Sequence, residues 1–169
     1  GLLVDFFGAQ RDIKDKVIRV LHSLSFVEDP TRILRAIRFE KRFSFRIGVQ
    51  TQRLIKNAVQ LDLFNKISGV RLTHELRLML EEEHALECLE RMQELKILVA
   101  IHPLLSLDDD RLRVLMEVHK VHTWYALLYQ DPAASLFKLS MLGLTMGIVR
   151  ELLEQVLDGL RLPERERKV

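Results

Sequence analysis

The sequence is poor in the residues that usually cross-link, break or anchor a chain. Its 169 residues include one cysteine, Cys88, so no intrachain disulfide and no thiolate metal cluster can form, and a reducing cytoplasm is the expected setting. Glycines number seven and prolines four, and no stretch is rich in Ser or Gln, which excludes a chain dominated by disorder. No apolar run approaches the roughly 18–20 residues that span a bilayer, and no signal peptide is visible, so no membrane partner is expected. The six histidines, at 22, 74, 84, 102, 119 and 122, lack metal-site spacing. His119 and His122 stand three apart on a helical stretch without a carboxylate or third ligand, so no metal-binding residue is assigned.

Apolar residues make up 48% of the chain and charged residues 30%, the balance of a globular protein with one substantial core or two small ones. The net charge of +2 hides an asymmetry: residues 1–80 carry a net +7 and residues 81–169 a net −5. An imbalance of this size points the first half toward a polyanion, with chance segregation of solvated charges as the bland alternative. The opening Gly1-Leu2-Leu3-Val4-Asp5 and the closing segment from Leu162-Pro163, which reads as the first turn of another helix, suggest an excised part of a longer protein.

Periodicity predicts an all-α fold after a short mixed N-terminus. Residues 1–10 suit the end of a strand or an extended hinge, with Gly8 as the turn former. A polar helical turn begins at Asp12, and Val17 to Leu21 is β-branched enough for a short strand. With Asp29 as N-cap and Pro30 in the first turn, a helix is expected as far as Phe43. Further helices are expected over Thr51–Leu61, Val70–Glu83, Ala85–Ile101, Asp108–Lys120, Trp124–Gln130, Ala133–Leu142 and Met146–Leu160. Gly143 is read as the stop of the Ala133–Leu142 helix, and Asp108-Asp109-Asp110 as charge favoured at a helix N-terminus.

Arg32, Arg35, Arg38 (or Lys41), Arg42 and Arg46 recur every three or four residues. On a continuous helix these guanidinium groups line one face, while Ile33, Ile37 and Phe39 or Phe43 take the other. The planar fork of Arg matches phosphate oxygens, so the stripe is a candidate phosphate and RNA contact; a solvated helix face is the plainer reading. Trp124, Tyr125 and Tyr129 are candidates for base stacking, although aromatics at helical spacing more often belong to a core.

Gly1-Leu2-Leu3-Val4-Asp5-Phe6-Phe7-Gly8-Ala9-Gln10-Arg11-Asp12-Ile13, then Val17-Ile18-Arg19, then the run from Phe26 through Glu28-Asp29-Pro30-Thr31-Arg32 to Phe39, resembles the class II tRNA nucleotidyltransferase and bacterial poly(A) polymerase family. The likeness is strongest over residues 1–80. It implies the end of a catalytic head and a hinge over residues 1–24, a neck that binds base and RNA over 25–83, and a helical body over 84–169. It also implies that Gly8 and Asp12 lie in the hinge, that Asp29 and Arg32 template the incoming base, and that Glu28 holds Arg32. Ile67 to Leu76 resembles a later motif in which Arg71 supports the head or contacts RNA. Here Val70 stands where the family commonly has Glu, which leaves the usual ion pair of that arginine without its carboxylate.

The chemistry of the template can be stated independently. Cytosine and adenine both present an exocyclic amine beside a ring-nitrogen acceptor; a carboxylate accepts from the first and a guanidinium donates to the second. Uracil and guanine present a carbonyl and an N–H there, so both contacts turn repulsive. The resemblance further implies a full-length enzyme that uses ATP or CTP, with Mg²⁺ held by paired aspartates, to extend a tRNA or other RNA 3′ end. No Asp-x-Asp behind a Gly-rich loop occurs in this sequence, so no catalytic residue is assigned and no activity is expected of this chain alone. The rival readings are a non-catalytic helical RNA-binding module and a protein-interaction module.

Overall fold

The computed structural model describes residues 4–128, 135–160 and 162. Among these the architecture is all-α, with one two-strand bridge. A short helix α1 (Ala9–Lys14) follows Gly8, whose φ of 76° lies in the left-handed region that glycine enters without penalty. Strand β1 (Val17–Ile18) pairs in parallel with β2 (Arg46–Ile47), Val17 opposite Arg46 and Ile18 opposite Ile47. The strand expected to reach Leu21 therefore ends after two residues. A side chain at Gly48 would crowd Val17 at 3.3 Å, so this position favours glycine for its size.

Between the strands lie two helices, the first of which sequence periodicity did not indicate. Helix α2 (Ser25–Glu28) is too short to show a period, and buried Phe26 anchors it. Pro30 excludes the helical conformation for the residue before it, and Asp29 accordingly sits extended at φ −150°, ψ 93°. Pro30 itself, with φ −63°, starts α3 (Thr31–Arg42). That helix is the centre of the molecule: Ile33, Leu34 and Ile37 are fully buried, and it packs on both strands, α2, α5 (Gly69–Leu80) and α6 (Ala85–Glu94).

Helix α4 (Val49–Gln60) and a 3₁₀ turn over Leu63–Lys66 complete the first half. The expected Ala85–Ile101 helix is broken at Lys96, whose φ is +58°, into α6 and α7 (Ile97–Ile101). A left-handed lysine costs about 1–2 kcal/mol. The break turns Leu95, Ile97 and Leu98 inward together, and their burial outweighs that cost at roughly 1.5–3 kcal/mol per side chain.

Helix α8 (Asp109–Leu127) is continuous through Trp124, where two helices were expected. The rest of the second expected helix, including Tyr129 and Gln130, lies outside the described residues, as do the expected start at Ala133 and the closing segment from Pro163. Helix α9 (Leu136–Leu144) contains Gly143 rather than ending at it, and α10 (Arg150–Gly159) is the last helix among the described residues. Among the described residues one hydrophobic cluster runs from Phe26 to Leu162. Among the described residues no helix is long and apolar enough to cross a membrane.

Candidate nucleic-acid interface

The junction of α2 and α3 gathers Glu28, Asp29 and Arg32 at the surface. Because Asp29 is extended, its carboxylate turns back over the first residue of α3. Oδ1 accepts the Thr31 backbone N–H at 3.1 Å and the Thr31 hydroxyl at 2.6 Å. Arg71, on α5, donates to Oδ2. Arg32 Nη1 donates to Glu28 Oε2 and to the Ser25 carbonyl, each at 3.3 Å, while its Nε stands 4.0 Å from Asp29 Oδ2. Glu28 is also 3.6 Å from His22 Nε2. The Asp29 side chain is 19% exposed and that of Arg32 43%, so both present polar atoms at a partly desolvated surface.

Burial by itself would raise the Asp29 carboxyl; the Thr31 hydrogen bonds and the Arg71 charge outweigh it and hold the group below the usual carboxylate range. Asp29 is therefore a carboxylate, and acceptor-only, at neutral pH. Thr31, Ser25 and His22 were not among the residues singled out by sequence. For Thr31 a signal existed, since an Asp two residues ahead of a hydroxyl residue commonly closes a side-chain-to-backbone turn. With Val70 in place of a carboxylate, Arg71 makes its ion pair with Asp29.

The arginine stripe is not one open face. Helix α3 stops at Arg42, and Ser44, with φ +51°, turns the chain so that Arg46 sits on β2. Arg35 and Arg46 are exposed and, among the described residues, carry no ion pair. Arg42 is exposed and 3.3 Å from Glu82. Arg38 departs from the expectation altogether. Its side chain is buried against α5, with Glu82 Oε1 at 3.4 Å from Nη1 and Glu75 Oε2 at 3.8 Å from Nη2. Of the two alternatives for the apolar face, Phe39 is half-buried, whereas Phe43 is 49% exposed, stacks on Phe39 at 5.7 Å and lies under the Arg42 guanidinium.

Buried Glu40 shapes the far side of α3. It accepts the Ile47 N–H at 2.7 Å and Arg91 Nε at 2.9 Å, tying α3 to β2 and α6. Gly8 is exposed, and Asp12 faces Arg19 at 3.3 Å. Asp108 caps α8 by accepting the Arg111 N–H at 2.8 Å, as expected of a helix start. Trp124 and Tyr125 meet edge to face at 6.3 Å on an exposed face of α8 rather than in the core. His119 lies 3.2 Å from Ser140 across the α8–α9 contact. Cys88 is fully buried, and burial followed by Glu82 and Glu87 pushes its thiol up to about 12, so it stays a protonated packing group.

A family described as "Probable RNA and SrmB- binding site of polymerase A" matches residues 44–108. The A-adding tRNA nucleotidyltransferase of Geobacter sulfurreducens is 48% identical over 151 residues, covering 89% of this chain and 17% of that protein. A solved tRNA nucleotidyltransferase complexed with a primer tRNA and an incoming ATP analog superposes with a TM-score of 0.82 and 38% identity, over 99% of this chain and 49% of that one. The Thermotoga maritima CCA-adding enzyme complexed with tRNA gives a TM-score of 0.84 and 35% identity, over 97% of this chain and 40% of that one. The chain thus spans about a sixth of the curated relative and less than half of the solved ones. With identity of this level carried across nearly the whole chain and the whole described fold, the chain belongs to the class II tRNA nucleotidyltransferase family.

Proposed function

We propose that Asp29 and Arg32 select the incoming base, with Glu28 holding Arg32, in a full-length nucleotidyltransferase that adds AMP or CMP from ATP or CTP to an RNA 3′ end, tRNA foremost. The observation that carries this reading is the pairing of an ionised Asp29 with an Arg32 whose Nε is 4.0 Å away. At that distance the two do not neutralise each other by direct hydrogen bonding, so an acceptor and a donor remain side by side for the amine and ring nitrogen of adenine or cytosine. An unpaired polar contact costs roughly 1–3 kcal/mol, so mismatch at both groups discriminates by orders of magnitude.

On this reading exposed Arg35, Arg42 and Arg46 contact phosphates of the bound RNA, and Gly8 with Asp12 belongs to the hinge toward the catalytic head. Bound metal would supply the charge stabilisation for nucleotidyl transfer. On this reading the Mg²⁺ of the reaction is held by paired aspartates of the catalytic head. Chemistry thus belongs to the whole enzyme, and the part described here chooses the base and holds the RNA.

The test is Arg32→Ala in the full-length enzyme. Incorporation from ATP and CTP should lose its advantage over GTP and UTP, while tRNA affinity is kept. Unchanged base preference with weakened, salt-dependent tRNA binding would instead favour the second reading, a helical RNA-binding module without a template. That reading draws on the family match over residues 44–108.

A further inference from the structure

The geometry around Asp29 points to a task for Arg71 other than RNA binding: we propose that Arg71 is a positioning residue that keeps the Asp29 carboxylate open to the base. The inference rests on the base-selecting role proposed above and adds a residue to it.

A carboxylate offers about four acceptor sites, two on each oxygen. On Asp29, Oδ1 receives both the N–H and the O–H of Thr31, which fills it. Oδ2 receives Arg71 Nη2, which leaves one site. That oxygen is also the one 4.0 Å from Arg32 Nε. The last free acceptor of Asp29 therefore sits on the oxygen next to the guanidinium, where a base edge with adjacent donor and acceptor requires it.

Without Arg71, Oδ2 has two vacant sites and a guanidinium 4.0 Å away. The shortest rearrangement is a direct Asp29–Arg32 pair, in which each group consumes the other's capacity for the base. Arg71 prevents this from the α5 side, while Glu28 and the Ser25 carbonyl restrain Arg32 from the α2 side. Val70 contributes no carboxylate to compete for the Arg71 guanidinium.

The α3–α5 packing does not depend on this pair. Leu72 and Leu76 are buried in the common core, and Arg38 bridges α3 to Glu75 independently. Loss of Arg71 should leave the fold intact.

The experiment compares Arg71→Ala, Arg71→Lys and Arg32→Ala in the full-length enzyme. It reads the ratio of ATP to GTP incorporation on a tRNA substrate, together with tRNA binding as a function of salt. Removing a hydrogen bond to a charged group should lower the ratio in Arg71→Ala by roughly 10- to 100-fold. Arg71→Lys, which keeps the charge and a donor, should recover most of it, and tRNA affinity and its salt slope should not move. A retained ratio with weaker, less salt-sensitive tRNA binding would make Arg71 a phosphate contact and overturn the proposal. An equal loss for both nucleotides, with the ratio unchanged, would make it merely structural and overturn it as well. If Arg32→Ala loses the ratio and Arg71→Ala keeps it, the Arg71 proposal alone fails. If Arg32→Ala keeps it, base selection by this site fails.

Discussion

Arg38 and Glu82, separated by 44 residues, meet at 3.4 Å beneath the basic face of α3, with Glu75 on the other side of the same guanidinium. The contact divides the arginines of α3 into two kinds. One kind holds the fold, and the other faces solvent.

Arg38→Ala is therefore expected to act on stability. It strands Glu75, whose side chain is 10% exposed, and leaves Glu82 only its pair with Arg42, and breaking a buried pair from one side costs on the order of 3–5 kcal/mol. Arg35→Ala should leave the unfolding free energy measured in urea within about 0.5 kcal/mol of the parent and lower the salt slope of tRNA binding by about 1. Equal stability of the two variants would contradict the division.

Gly143→Ala tests the α8–α9 contact. A methyl group at position 143 would lie 2.8 Å from Cδ2 and 3.1 Å from Cγ of fully buried Leu115. Overpacking of this kind costs about 1–3 kcal/mol, set against a gain of up to about 1 kcal/mol from replacing a helical glycine. A net loss is expected in denaturant unfolding. It should shrink when Leu115→Val is added, because the two positions share one space.

Asp29→Asn tests the ionised state of the site carboxylate. A carboxyl held below its usual range adds stability to the folded chain above the ordinary carboxylate pKa, and that stability is lost as pH falls through the folded value. Thermal unfolding of the parent and of Asp29→Asn should differ by a constant amount near neutral pH. The difference should narrow as pH drops below about 4. A difference that does not depend on pH would mean that the Thr31 and Arg71 contacts do not act on a charged Asp29.

Some of this was legible in the residues alone. The α-helical class followed from apolar spacing, because an amphipathic helix must write its buried face into the chain every three to four residues. Asp29 and Pro30 marked the start of α3, since proline restricts the residue before it whatever lies around it. Asp29 and Arg32 were nameable from their order, and the structure does set them side by side at one surface. The break at Lys96 had no such mark, because a left-handed lysine is held by burial on both sides of it. Gly143 read as a stop when it is a packing residue, since the space at a Cβ depends on a helix that lies elsewhere in the chain.

What the sequence determined by itself was the helical class, the start of α3 and the sidedness of charge. Those depend on local spacing and on side-chain chemistry. Tertiary structure alone decided which arginines remain free. Arg38 is withdrawn by Glu75 and Glu82, and Arg71 is drawn to Asp29, each across more than thirty residues of chain. A long flexible cation has no fixed role until the fold brings a carboxylate within reach, and which carboxylate arrives is settled by how α3 packs on α5.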